Sequence, residues 1–231
     1  MLDYLVRQFD GDRTKAVLSL FDRNPDAKPL DCGCSSGQFT LRAGQVVGTS
    51  KLFGIEIEEG RVEIAKAKGI QESEGDLNLR LPFENESFDC ILANHVIEHL
   101  DNTDLFLKEI YRILKIGGYT IIATPNLAAC YNIFYLMLGK QQYIAMVSDE
   151  ILAGSWIPLK RMALVKNSGP AHRRVFTLGA FKELLKHHGF VIEKAMGCGF
   201  FPIPSPVSNV MSFIDKYHAT NLIVKARKIN A

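Results

Sequence analysis

The segment Asp31-Cys32-Gly33-Cys34-Ser35-Ser36-Gly37 is the first stretch whose residue types and spacing allow chemistry. Glycines just after a short apolar strand let backbone N–H groups close on a ligand at the start of the next helix. Three patterns overlap here. A nicotinamide dinucleotide site needs G-x-G-x-x-G, and only Gly33 fits, because Ser35 and Gln38 fill the other glycine positions. A serine-hydrolase elbow needs G-x-S-x-G, which Gly33 to Gly37 spell. Only one strand precedes Ser35, however, and no His-Gly-Gly run supplies an oxyanion hole. The third pattern is Asp31-x-Gly33-x-x-x-Gly37 with an acid, Glu56, closing the next strand, and it suits its surroundings best. A second set of reactive groups is imidazole and carboxylate. His95, Glu98 and His99 stand at i, i+3 and i+4, which on a helix share one face, a spacing also found in some zinc-binding helices. His172 lies in Gly169-Pro-Ala-His-Arg-Arg-Val-Phe-Thr177, a proton acceptor beside Arg173 and Arg174, either of which suits an anionic group.

The elements that must position these groups alternate. Lys28 to Gly33 reads as a strand entering the glycine turn, Gly37 to Val47 as a helix, and Leu52 to Ile57 as a buried strand. Gly60 to Lys68 has helical spacing stopped by Gly69, and Phe88 to Asn94 is another buried strand. Leu107, Ile110, Tyr111 and Leu114 predict a helix ended by Gly117-Gly118, followed by a β-branched strand, Tyr119 to Thr124. Phe181, Leu184, Leu185 and His188 predict a helix with Thr177 as N-cap and Gly189 as stop. Two late strands, from Phe190 and from Asn221, are joined by a loop with Pro202, Pro204 and Pro206 and no evident long helix, so one of them is expected to be antiparallel. Such alternation predicts an α/β fold: a Rossmann-like, seven-stranded, mostly parallel sheet with helices on both faces. One domain is expected over 1–231. It comprises a helical segment (1–27), a cofactor-binding half (28–125), a lid-like insertion with a helix near 127–138 (126–176), and a terminal helix and strand pair (177–231).

Composition narrows the class. With 231 residues, 47% hydrophobic and 23% charged, the chain can bury a core without staples, which excludes disorder and small disulfide scaffolds. Five Cys is an odd number and reads as free thiols in a reducing compartment; Cys32 and Cys34 read as packing residues, not a metal pair. No basic region followed by an apolar run opens the chain, and the longest apolar stretch, Leu127 to Leu138, is short of the about 20 residues of a spanning helix. The cytoplasm is therefore expected, with no integral membrane segment. The net charge of +2 divides into −7 over residues 1–150 (15 Lys/Arg, 22 Asp/Glu) and +9 over 151–231 (12 against 3). This lopsided field suits an anionic substrate or acidic surface, or is a solvated basic face. No Lys/Arg run or zinc-finger spacing supports nucleic acid.

Downstream of the glycine turn, Gly54-Ile-Glu56-Ile57, Gly75-Asp76-Leu77, the long run Leu81 to Leu100 and Leu114-Lys-Ile-Gly-Gly-Tyr-Thr-Ile-Ile complete a set. Together these resemble the class I S-adenosylmethionine-dependent methyltransferases, strongly over 28–125 and loosely over 172–228. The nearest branch holds the ubiquinone-biosynthesis O-methyltransferases and many glycan- or lipid-cluster enzymes. Two positions depart from the pattern: Ser35 replaces the middle glycine, and Ile116 replaces the usual Pro. The resemblance implies S-adenosyl-L-methionine as cofactor and S-adenosyl-L-homocysteine as product. It places Glu56 on the ribose hydroxyls, Asp76 on the adenine amine, Asp31 at the amino-acid end, and the backbone of Gly33 and Gly37 against the ligand. It extends the cofactor contacts to Cys34, Ile57, Leu77, Asn94 and His95.

Methyl transfer from a sulfonium is an in-line displacement that mostly needs positioning and exclusion of water; a hydroxyl acceptor also needs its proton removed. His172 and His99 are the expected catalytic residues. In ubiquinone-type relatives the Glu98–His99 pair resembles a divalent-metal site; with no distant fourth ligand evident, no metal is assigned. The acceptor is expected to be a small molecule, with Tyr131, Phe134, Tyr135, Met137, Tyr143 and Met146, up to Trp156, lining an apolar pocket for a quinone precursor or lipid-linked sugar, or else forming plain core. The rivals are a non-catalytic adenosyl-binding or regulatory module and a nicotinamide-dependent oxidoreductase.

Overall fold

A computed structural model describes residues 2–142, 144–148, 153–154 and 172–230. The buried apolar run Pro29–Cys32 forms β1, and the glycine turn hands it to α2 (Gln38–Val47), following an N-terminal α1 (Leu2–Leu18). β2 (Phe53–Glu56), α3 (Glu59–Lys66) and β3 (Gln71–Glu74) repeat the unit, and β4 (Phe88–Asn94) is the first long strand. A single 3-10 turn, Ile97–His99, precedes α4 (Thr103–Ile113), β5 (Leu114–Pro125) and α5 (Cys130–Met137). The chain closes with α6 (Leu178–His187), β6 (Phe190–Cys198), α7 (Ser205–Ile214) and β7 (Asn221–Lys228).

The sheet has the seven strands expected, in the order β3-β2-β1-β4-β5-β7-β6. β1 to β5 are parallel, and β7 is antiparallel to both β5 and β6. Alternate side chains of β4 enter opposite cores, as the pleat dictates. Ile91 and Ala93 pack with Phe106, Leu107 and Ile110 of α4 and Phe181 and Leu185 of α6. Cys90 and Leu92 pack with Val17 of α1 and Ala43 and Val47 of α2. Helices thus cover both faces, which is what a parallel sheet needs. All five cysteines carry free thiols. Among the described residues no helix is long and apolar enough to cross a membrane.

Three details differ from expectation. α4 stops at Ile113, and Gly117-Gly118 lie inside β5 instead of ending the helix. Leu114 already pairs with Phe88, and a Cβ on Gly118 would stand 2.8 Å from the Asp89 carbonyl oxygen, so glycine there permits strand approach. The proline-rich loop contains a helix, α7, because Pro206 sits in its first turn, where its missing N–H costs no hydrogen bond. The three prolines do not form one loop.

The strand order reverses direction between β1 and β4, and their carboxyl ends open a crevice at that switch point. Gly37 fixes the geometry there. It caps α2 at φ 75°, and a Cβ would lie 2.2 Å from Ile70 Cδ1 and 3.2 Å from Ala65 Cβ. Left-handed strain plus overpacking predicts that Gly37→Ala lowers stability by about 2–4 kcal/mol, read from urea unfolding of the two proteins.

Candidate active site

The crevice between β1 and β4 is a half-open cleft of about 270 Å³ lined by Asp31, Gly33, Cys34, Ser35, Phe39 and Asn94, among others. Its floor is built by backbone. Gly33 takes φ 72°, and a Cβ there would stand 2.6 Å from Val96 Cγ2, so the turn after β1 lies hard against the turn after β4. Ser35 is also left-handed, at φ 50°. Asp31 is buried and accepts the Thr40 hydroxyl at 2.7 Å, which ties the end of β1 to α2.

Glu56 is 8% exposed and accepts three backbone N–H groups: Ser35 at 2.9 Å on Oε2, and Ile57 at 2.9 Å and Glu58 at 3.2 Å on Oε1. A carboxylate offers about four acceptor directions, so roughly one remains for a ligand, and binding two hydroxyls displaces one of these donors. Ile57 is exposed beside it, a flat apolar surface at the cleft edge. Asp76 accepts the Asn78 backbone N–H at 2.8 Å and its side-chain amide at 3.1 Å on Oδ1, a loop-capping role. Leu77 is buried in the core, so its side chain serves packing.

Beyond β4 the three expected residues do not share a helix face. His95 is left-handed (φ 59°), with its N–H bonded to the Ala123 carbonyl at 2.9 Å, and only Ile97–His99 form a helical turn. The reversal nevertheless brings His95 Nδ1 to 3.1 Å from Glu98 Oε1. Glu98 is 1% exposed, and its Oε2 accepts the Thr124 hydroxyl at 3.1 Å. Burial alone would raise its pKa, but hydrogen bonding and charge from His95, its own backbone contact and charge from His99 hold it below the ordinary carboxylate range. With Nδ1 turned to Glu98, His95 presents Nε2 as its acceptor. That nitrogen, Asn94 Oδ1 and Glu98 Oε1 are buried with no hydrogen-bond partner among the described residues. Thr124 and the orientation of His95 carried no signal in the sequence.

His172 joins this cluster from the far side of the 126–176 segment. The Glu98 carbonyl accepts the backbone N–H of Arg173 at 2.7 Å and of Arg174 at 3.0 Å, which docks the histidine loop on the 3-10 turn. His172 and His99 rings meet edge to face at 4.9 Å, and His172 Nδ1 lies 3.3 Å from the Ile144 carbonyl, which it serves as donor. Arg174 donates to the Asp101 carbonyl at 2.7 Å, and Arg173 lies 3.7 Å from the Asp101 carboxylate, so both guanidiniums are engaged outside the cluster. Glu98, His99 and His172 bring one ligand atom each within 4.8 Å of one another, a donor set that suits a divalent cation. Glu98 gives Oε2 to the Thr124 hydroxyl, while its buried Oε1, 3.1 Å from His95 Nδ1, accepts no hydrogen bond among the described residues.

Of the expected acceptor lining, Tyr143, Trp156 and the Gly169 to Ala171 part of the histidine loop lie outside the described residues. Tyr131 and Met146 are half-buried, Tyr131 stacking edge-on with Phe201 at 5.8 Å, whereas Phe134 and Met137 face outward.

Residues 30–122 match the family model described as a methyltransferase domain. The demethylmenaquinone methyltransferase of Staphylococcus saprophyticus is 28% identical over 144 residues, 56% of this chain and 61% of that protein. The ubiquinone biosynthesis O-methyltransferase of Brucella ovis is 28% identical over 163 residues, 61% of this chain and 64% of that protein. The chain thus spans less than two thirds of these relatives' lengths. Its fold is that of the S-adenosylmethionine-dependent methyltransferase of Mesorhizobium loti, with a TM-score of 0.66 at 20% identity over 95% of this chain and all of that one.

The cluster makes a pH prediction. Burial is the largest effect on His172, and with the neighbouring imidazoles it outweighs the charge of Glu98 and the Ile144 contact, holding the pKa below its usual value. A depressed folded-state pKa gives stability that is full above the unfolded value, about 6.5, and lost as pH falls below it. Melting temperatures measured between about pH 8 and pH 5 should drop on the acid side, and His172→Gln should flatten that drop.

Proposed function

We propose that this chain, which has the fold and the matched domain of a class I S-adenosylmethionine-dependent methyltransferase, transfers a methyl group to an oxygen of a small-molecule acceptor. We read 1–231 as one domain for that purpose, with 126–176 closing the acceptor side. The observation that carries the reading is the cleft at the β1–β4 switch point, lined by the turn from Gly33 to Ser36 and with the orphaned Asn94 Oδ1 at its edge. Such a cradle fits a nucleoside carrying a polar amino-acid tail. Glu56 and Ile57 suit a ribose and base at one end, Asp76 the base edge, and Asp31 and Asn94 the charged tail at the other. The cofactor supplies an activated methyl on sulfur; the chain supplies position, dryness and a proton acceptor.

His95 fits the acceptor role by geometry. Asn94 before it lines the cleft, and Val96 after it touches the Gly33 turn, so the imidazole sits at the cleft's rim. Glu98 Oε1, 3.1 Å from Nδ1, favours the ring proton on that nitrogen and leaves Nε2 to take the proton of a hydroxyl as it attacks. His99 and His172, edge to face, form the wall on which the acceptor rests. The names of the two quinone-pathway relatives support an apolar acceptor with a ring hydroxyl, as does the aromatic content of 126–148. We assign no metal to the reaction, because the cluster of Glu98, His99 and His172 offers three ligand groups and no fourth joins them among the described residues.

Calorimetric titration with S-adenosylhomocysteine tests the cofactor half. Binding is expected in wild type, with a loss of at least about tenfold in Glu56→Ala, since hydrogen bonds to a charged group are each worth about 1.5–3 kcal/mol. Absence of binding overturns the reading. In an acceptor screen with labelled methyl donor, His95→Gln should lower kcat by about 10²–10⁴ while S-adenosylhomocysteine affinity holds. His172→Ala should act mainly on acceptor KM, and a chelator should leave turnover unchanged. Cofactor binding without product across broad acceptor panels would instead favour a non-catalytic adenosyl-binding module.

A further inference from the structure

Two helices on the cleft side of the sheet are built inside out. A surface helix of a soluble protein normally buries its apolar stripe and exposes its polar one. α7 does the reverse. Its buried residues are Ser205 and Ser208, with the Ser208 hydroxyl accepting the Phe200 N–H at 2.6 Å. Outward it presents Val207, Val210, Phe213 and Ile214 at helical spacing, the last two 92% and 77% exposed. α5 repeats the inversion. Its buried residue is Asn132, whose amide donates to the Asn126 carbonyl at 2.9 Å, while Phe134, Leu136 and Met137 (78%) face out.

The two inverted helices are neighbours. Cys130 N–H, at the start of α5, donates to the His218 carbonyl, and the Asn126 amide donates to the Tyr217 carbonyl, both just past the end of α7. Both helices flank Pro125 and Asn221, which pair across β5 and β7. That edge carries the carboxyl ends of the parallel strands, and therefore the cleft. The exposed apolar residues of both helices thus belong to the edge that carries the acceptor entrance. Exposed apolar surface on neighbouring elements marks a contact site.

We propose that this face docks on an anionic phospholipid bilayer, with α5 and α7 lying in the interface and the acceptor entering the cleft from the lipid. The charge of the same edge selects that occupant. Among the described residues of 126–176 the charged side chains are Lys140, Arg173 and Arg174, all cationic and exposed, and Lys216 stands two residues past the end of α7, after Asp215. Apolar residues flanked by cations are the pattern of helices that lie on anionic membranes. A second copy of the chain is disfavoured, because an isologous contact would set these cations against their own copies. The proposal names the acceptor class of the methyl-transfer reading, a bilayer-resident molecule, and rests on that reading for its purpose, though the docking itself needs no turnover.

Flotation of the full chain with vesicles tests it. Binding is expected to vesicles of phosphatidylcholine with phosphatidylglycerol, to weaken as salt is raised, and to be far weaker on pure phosphatidylcholine. Phe213→Ser with Ile214→Ser, both at strongly exposed positions, should reduce binding about tenfold or more while S-adenosylhomocysteine affinity stays at the wild-type value. Failure to float on either vesicle overturns the proposal, as does equal binding to both or a double variant that floats like wild type. A concentration-dependent dimer in sedimentation velocity that the double substitution dissociates, without vesicle binding, assigns the face to self-association instead. A chain that floats but binds no S-adenosylhomocysteine sinks the methyl-transfer reading alone, so the two failures are distinguishable.

Discussion

The cleft depends on where three backbone N–H groups go. Ser35 leaves β1 in a left-handed conformation, and Ile57 and Glu58 leave β2 pointing inward; none of the three donates to a strand. A buried amide without a partner costs about 1–3 kcal/mol, so the two turns need a common acceptor, and Glu56 is that acceptor. One carboxylate thereby fixes the distance between two crossover turns that share no covalent link shorter than the α2 unit. The ordering of the turns is completed by the fold, so a ligand does not have to supply it on arrival. A ligand donor at Glu56 competes with backbone, and the 3.2 Å Glu58 contact is the longest and the most readily exchanged.

The two ends of β4 and β5 solve a similar problem with side chains. Glu98 is almost wholly buried, and a buried charge is tolerable only when hydrogen-bonded and paired. The Thr124 hydroxyl from β5 bonds Oε2, His95 Nδ1 just past β4 approaches Oε1 to 3.1 Å, and the Glu98 carbonyl anchors the loop that bears His172. One residue therefore organises all three imidazoles of the rim, and a left-handed His95 is the backbone cost of the arrangement. Removing Glu98 would release the tautomer of His95 and the docking of His172 together, which is why neither histidine's role is separable from it by distance alone.

Much of this was legible because it rests on local pattern. The glycine turn, the acid ending β2, the buried β4 and the stripe Leu107, Ile110, Tyr111 are each written in a few adjacent residues, and all stand where the pattern puts them. What was not legible depends on partners far along the chain. The end of α4 is decided by Leu114 pairing with Phe88, which outcompetes the Gly117-Gly118 stop signal. His95 leaves helical geometry because its N–H completes a ladder bond with Ala123. α7 escaped notice for a different reason. Its apolar spacing at 207, 210 and 214 is helical, but three prolines nearby read as loop, and nothing in the spacing says that the stripe faces out.

That last failure bears on the acceptor side. The aromatic and apolar residues of 126–148 pattern like an internal pocket, and an ordinary amphipathic helix would have buried Phe134 and Met137. The polar residues are what decide the orientation. Asn132 is fully buried because its amide satisfies the Asn126 carbonyl, and Asn126 is buried because its own amide reaches the Tyr217 and Ala219 carbonyls. This ladder of amides follows the end of β5 and terminates backbone that a sheet edge would otherwise leave unpaired. Once those amides take the inside of α5, its apolar residues have only the outside. The hydrogen-bonding needs of a strand end, and not hydrophobic patterning, thus set which face of α5 the surroundings meet, and serines set it for α7.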